Sequence, residues 1–204
     1  MPHLIKCADG HLLKNAGGHL VNQVAATQFE FWSGGAMYSY YPDGTMWGET
    51  VLNDGQDELR PVFILSGTLP SSATATSASK LYLWHNCNNN DGPINIEVYA
   101  CLRRLEVTDE WPLSWPSWNC YVKKPPEKPW GTPGGLGPND AVFVGSLTLP
   151  SEWTGSRGIL TGQPLADAIN AMISGACFPA FILRTTTESI WSHTVNNLKV
   201  KFEY

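Results

Sequence analysis

The sequence predicts an all-β fold: a β-sandwich with one short helix and a short β-rich amino-terminal arm. Three observations carry this expectation. Apolar and polar residues alternate in many separate runs, the period-2 signature of half-buried strands. Turn formers separate those runs, with 19 glycines and 15 prolines among 204 residues. Only one stretch has helical spacing. Many strands with a single helix bury their apolar faces most simply by packing sheet on sheet.

The elements follow in order. Residues 1–24 form an arm with a period of eight, in which His3-Leu4-Ile5-Lys6, His11-Leu12-Leu13-Lys14 and His19-Leu20-Val21-Asn22 alternate with turn-forming tetrads. Asp9-Gly10 and Gly17-Gly18 accept positive φ, so a meander of three short strands is expected. Such strands bury too little to stand alone. The arm, through His3, Leu4, His11, Leu12, His19 and Leu20, should therefore dock on its own domain or a neighbouring copy. The three histidines share one register position, and plain strand-edge histidines are preferred there over a metal site.

Residues 25–204 are expected to form the sandwich. Gln28–Trp32, Ala36–Tyr41, Arg60–Leu65, Lys80–Trp84, Ile94–Leu102, Ala141–Leu147, Phe178–Arg184 and Asn197–Tyr204 read as strands. The helix is Pro164–Ile173, with Leu165, Ile169, Met172 and Ile173 on one face and Gly175 as its stop. His85–Pro93 is a loop, and Trp111–Pro138, rich in proline and tryptophan, is a long irregular excursion. Alternation up to the last residues ties the carboxyl-terminal strand into a sheet.

Composition excludes several functions. Charged residues are 15% of the chain, against about 25% in ordinary soluble domains. With a net charge of −5 and 13 Lys+Arg, the chain has no basic patch for nucleic acid. No apolar run approaches the ~18 residues of a membrane span. The amino-terminal residues lack the unbroken apolar stretch of a secretory signal. Cys7, Cys87, Cys101, Cys120 and Cys177 are too far apart for a zinc site. Cys101 and Cys177 read as buried strand residues, and a Cys87–Cys120 bridge stays open. Asn88–Gly92 is oxygen-rich, but it lacks the acidic spacing of a calcium loop and reads as a turn. No cofactor is expected, with Ca2+ at this turn as the alternative. Nor is catalysis: the sequence has no G-x-S-x-G, no H-E-x-x-H and no phosphate loop, and its carboxylates are scattered.

Binding rests on the tryptophans, whose flat rings stack on the C–H faces of sugars. Trp111, Trp115 and Trp118 follow at spacings of four and three between Pro112 and Pro116, with Asn119 and Tyr121 as polar contacts. Trp118 also fits a core role, and Trp130 reads as a pin for the long loop. Trp111 and Trp115 are the best candidates for an exposed contact.

Several stretches of residues 45–204 resemble the DNRLRE domain family. They are Arg60–Pro70, Ala78–Leu83, Ile96–Tyr99, Ser117–Tyr121, Trp130–Gly135 with Asp140, and the helix followed by Phe181-Ile182-Leu183. Ile64 stands where the family has Asp, and residues 1–23 have no counterpart. The resemblance implies a jelly-roll sandwich similar to carbohydrate-binding modules, found on surface proteins, polysaccharide-active enzymes and virions. Two readings follow. One is a non-enzymatic structural or adhesion protein of a phage virion or extracellular surface, self-associating through the arm and contacting cell-surface glycan. The other is the carbohydrate-binding module of a polysaccharide-active protein.

Overall fold

The computed structural model describes residues 28–32, 36–40, 46–47, 51–53, 60–71, 73–87, 93–106, 116–122, 125–149, 156–186 and 193–203. The amino-terminal arm, with His3, Leu4, His11, Leu12, His19 and Leu20, lies outside them, as do Trp111, Trp115 and the Asn88–Gly92 turn.

Thirteen strands and one helix make up the described chain. The strands are β1 (Gln28–Trp32), β2 (Ala36–Tyr40), β3 (Met46–Trp47), β4 (Val51–Asn53), β5 (Val62–Ile64), β6 (Lys80–Cys87) and β7 (Ile94–Cys101). They continue with β8 (Cys120–Val122), β9 (Lys128–Pro129), β10 (Ala141–Leu149), β11 (Ser156–Thr161), β12 (Ala180–Thr185) and β13 (His193–Glu203). Helix α1 spans Gln163–Ile173. The all-β expectation holds.

All pairings are antiparallel. One sheet runs β1-β13-β6-β11, with β4 also on β13, a second runs β10-β7-β12-β5-β2-β3, and β8 and β9 pair as a two-stranded sheet. The inward positions of both sheets share one core, in which Leu81 and Leu83 of β6 and Leu198, Val200 and Phe202 of β13 meet Ile96 and Val98 of β7 and Phe181 of β12. Alternation decides this: in β7, Ile94, Ile96, Val98 and Ala100 are buried, while Asn95, Glu97 and Tyr99 face out. Phe63, Phe181 and Phe202 are fully buried, each contributing about 1.5–3 kcal/mol.

Helix α1 adds Leu165, Ala166, Ala168, Ile169 and Met172 to that core. Pro164 suits the first turn, where its missing N–H leaves no bond unmade. Gly175, at φ +79°, ends the helix in the left-handed conformation expected there. The Asn170 side chain ties the helix to the segment before β6, accepting from the Ala75 N–H at 2.7 Å and donating to its carbonyl at 3.1 Å.

Three expectations change. Cys177 is buried, but in the turn after α1 and not in a strand. Cys120 is a free thiol 3.2 Å from the Ser117 hydroxyl, so no Cys87–Cys120 bridge forms. Strand β11 was not expected. Its pattern is inverted, with Gly158 buried and Ile159 45% exposed. The Leu147 and Leu149 side chains occupy the space a Cβ at residue 158 would need.

Candidate functional site

The long loop after β7 lies on the outer side of the six-stranded sheet, where it makes a second apolar cluster with Val62, Cys101, Ala141, Ala180 and Ile182. Buried polar groups hold it there. Arg60, 8% exposed, donates to the Gly134 carbonyl and stacks over Trp118 at 4.3 Å. A side chain at residue 134 would collide with that guanidinium, and the backbone there has φ +84°, so glycine fits on both counts. Asp140 is fully buried and accepts from the Gly131 N–H at 2.9 Å, the Thr132 N–H at 2.8 Å and Arg103 Nε at 3.0 Å. Trp130 is buried, and its Nε1 donates to the Ser117 carbonyl at 2.8 Å.

These contacts position three of the expected site residues. Trp118 is half-buried between Arg60 and the cluster. Tyr121 is half-buried, 5.5 Å from the Trp130 ring and 5.4 Å from the Arg103 guanidinium. Asn119 is exposed, and its carbonyl accepts from the Trp130 N–H. The loop gathers Trp118, Asn119 and Tyr121 in one place, but turns the two rings towards the protein. Trp111 and Trp115 lie outside the described residues.

A different pair of rings, Tyr82 and Trp84, is half-buried on the other sheet. On the outer side of the five-stranded sheet, register builds a grid across β13, β6 and β11. Its rows are Asn197-Trp84-Arg157, Lys199-Tyr82-Ile159 and Lys201-Lys80-Thr161. The intervening residues Leu81, Leu83, Leu160, Leu198 and Val200 point into the core, so Lys80, Tyr82 and Trp84 of β6, Lys199 and Lys201 of β13 and Arg157, Ile159 and Thr161 of β11 point away from it. Tyr82 and Trp84 sit 6.0 Å apart and tilted by 34°, with the Arg157 guanidinium 5.2 Å from the Tyr82 ring. Rows repeat about every 7 Å along a strand, so the two rings stand about one sugar apart.

The electrostatics of this grid are one-sided. Four of its nine positions are Lys or Arg and none is acidic, in a chain of net charge −5. Glu30 of β1 lies beyond it, opposite Lys201. Lys80 and Lys201 are direct cross-strand partners, an arrangement that costs about 0.2–1 kcal/mol relative to a neutral pair. An anion lying across the rows would offset that cost.

Sequence reasoning identified Lys80–Trp84 as a strand and missed this surface. The signal was present: Lys80, Tyr82 and Trp84 fall on the polar side of the alternation. Among the described residues, no helix is long and apolar enough to cross a membrane. Comparison of the chain with protein-family models and with curated proteins finds no match.

Proposed function

We propose that this chain is a non-enzymatic glycan-binding domain, a jelly-roll sandwich of the DNRLRE kind, that takes an anionic polysaccharide across its five-stranded sheet. The observation that carries the reading is the grid around Tyr82 and Trp84. Its two rings stack on sugar faces, while Lys80, Lys199, Lys201 and Arg157 surround them with positive charge. Flat stacking groups with peripheral cations suit a carboxylate-bearing polymer, which needs neither a deep pocket nor a cofactor. The order of the resembling stretches supports the same family of folds.

The test is affinity electrophoresis of the full chain through gels containing a polyuronate or a neutral glucan. Retardation by the polyuronate that is lost in Tyr82→Ala and Arg157→Ala supports the proposal. Equal mobility with and without polyuronate refutes it.

A second reading concerns the setting, which we propose is a virion or extracellular surface where copies join through the arm. The period-eight repeat of residues 1–24 favours it, because short strands with unpaired edges add to a neighbouring sheet. Deleting residues 1–24 then leaves a folded monomer by light scattering. A truncated chain that assembles like the intact one removes this reading.

A further inference from the structure

The opposite face of the sandwich carries a second polar and aromatic cluster. The loop held by Arg60 and Asp140 covers only part of the six-stranded sheet. At the edge of the loop, register sets Phe143 beside Tyr99 and Tyr99 beside the buried Ile182, and beyond it come the rows Ser146-Glu97-Arg184 and Thr148-Asn95 across β10, β7 and β12. Phe143 is 51% exposed, one of three large apolar side chains so exposed among the described residues. Its ring meets Tyr99 edge to face, with centroids 5.4 Å apart and planes at 63°. That contact uses an edge and leaves ring area towards solvent.

The next row is organised around one carboxylate. The Tyr99 hydroxyl donates to Glu97 Oε2 at 2.8 Å, and an Arg184 Nη lies 3.6 Å from the same oxygen. Both contacts fall on Oε2, so Oε1 accepts from neither. Burial, and then the bond to Glu97, push the Tyr99 phenol upward, so it remains a donor through neutral pH. Ser146, directly opposite Glu97, is exposed. One row further, the Thr148 hydroxyl donates to Asn95 Oδ1 at 2.7 Å.

We infer that this face binds a neutral sugar chain, with one ring stacked on Phe143 and two adjacent hydroxyls engaged by Glu97 and Arg184. Glu97 Oε1 accepts from one hydroxyl, and the guanidinium donates to its neighbour. A carboxylate beside a guanidinium recognises such a hydroxyl pair because the two groups supply acceptor and donor at adjacent points. The Ser146-Glu97-Arg184 row lies about 7 Å from Phe143 along the strand, within the span of one stacked sugar and its neighbour. Its charges cancel, so a uronate placed there gains no net attraction and sets its carboxylate against Glu97. This distinguishes the face from the cationic grid across the sandwich. The inference uses none of that grid's residues and stands or falls separately.

The test is calorimetric titration of the full chain with xylohexaose, mannohexaose and cellohexaose, for the wild type, Phe143→Ala, Glu97→Gln and the exposed control Glu127→Gln. Phe143 and Glu97 lie outside the shared core, so both variants fold, checked by circular dichroism. At least one hexaose binds the wild type; Phe143→Ala and Glu97→Gln each weaken it tenfold or more; and Glu127→Gln leaves it unchanged. Absence of binding by all three hexaoses overturns the inference. So does wild-type affinity in both Phe143→Ala and Glu97→Gln.

Discussion

Replacing Asp140 by Asn tests how the long loop is held. The carboxylate is fully buried and accepts three bonds, with Arg103 and Gly131 on Oδ1 and Thr132 on Oδ2. Asparagine keeps one oxygen. If that oxygen takes the Oδ1 position, the new amide N–H₂ faces the Thr132 N–H, donor against donor. Leaving that N–H unmatched costs about 1–3 kcal/mol. Neutralising the acceptor of the Arg103 pair adds about 0.5–1 kcal/mol, kept small because Arg103 is 35% exposed and water screens it. The total is about 1.5–4 kcal/mol, which lowers the melting temperature by about 3–16 °C in a chain of this size. Urea and thermal unfolding followed by circular dichroism measure it, with the exposed Glu127→Gln as a control expected within about 0.5 kcal/mol. A loss below about 0.5 kcal/mol for Asp140→Asn would show that the three donors find other acceptors, and the account of the loop would fall.

Three further outcomes follow from the same contacts. Lys80→Thr removes the like-charge pair with Lys201 and sets threonine opposite Thr161, so it should stabilise the free protein by a few tenths to about 1 kcal/mol in urea. The same variant should bind polyuronate more weakly, so stability and affinity move in opposite directions. Trp130→Phe deletes the bond to the Ser117 carbonyl and should cost about 1–3 kcal/mol by the same unfolding assay. Burial pushes the Cys101 thiol up to about 12, so the fold favours the protonated thiol more than the unfolded chain does. Its contribution is therefore complete below about pH 9 and declines as pH rises from 9 towards 12, and Cys101→Ala should make the alkaline loss of stability shallower.

Local pattern made much of the fold legible. In β7 and β13 the apolar residues fall on every second position, and both strands lie where alternation predicts, with Ile96 and Val98 facing Leu198 and Val200 across the core. Helix α1 was equally clear, because Leu165, Ile169 and Met172 share one face and Gly175 ends it. Strand β11 was hidden for a packing reason: Gly158 is buried because Leu147 and Leu149 fill the space beside it, a fact about another strand. The candidate site was half-legible. Tyr82 and Trp84 stood on the polar side of their strand, but Arg157, Lys199 and Lys201 reach them only through sheet register. The tryptophan loop drew more weight than its geometry supports, since Arg60 takes one face of Trp118 and the Ser117 carbonyl takes the Trp130 N–H. Arg60 lies outside the loop, so that partner is not apparent from the loop's own residues.

The most direct test of the glycan-binding proposal is the salt dependence of polyuronate binding by the wild type and by the double variant Tyr82→Ala, Arg157→Ala. The proposal predicts wild-type binding that weakens steeply between 50 and 200 mM salt (about the range over which exposed charges become screened), and a double variant at least tenfold weaker at every salt concentration. Binding that is indifferent to salt, or a double variant that binds like the wild type, would contradict it.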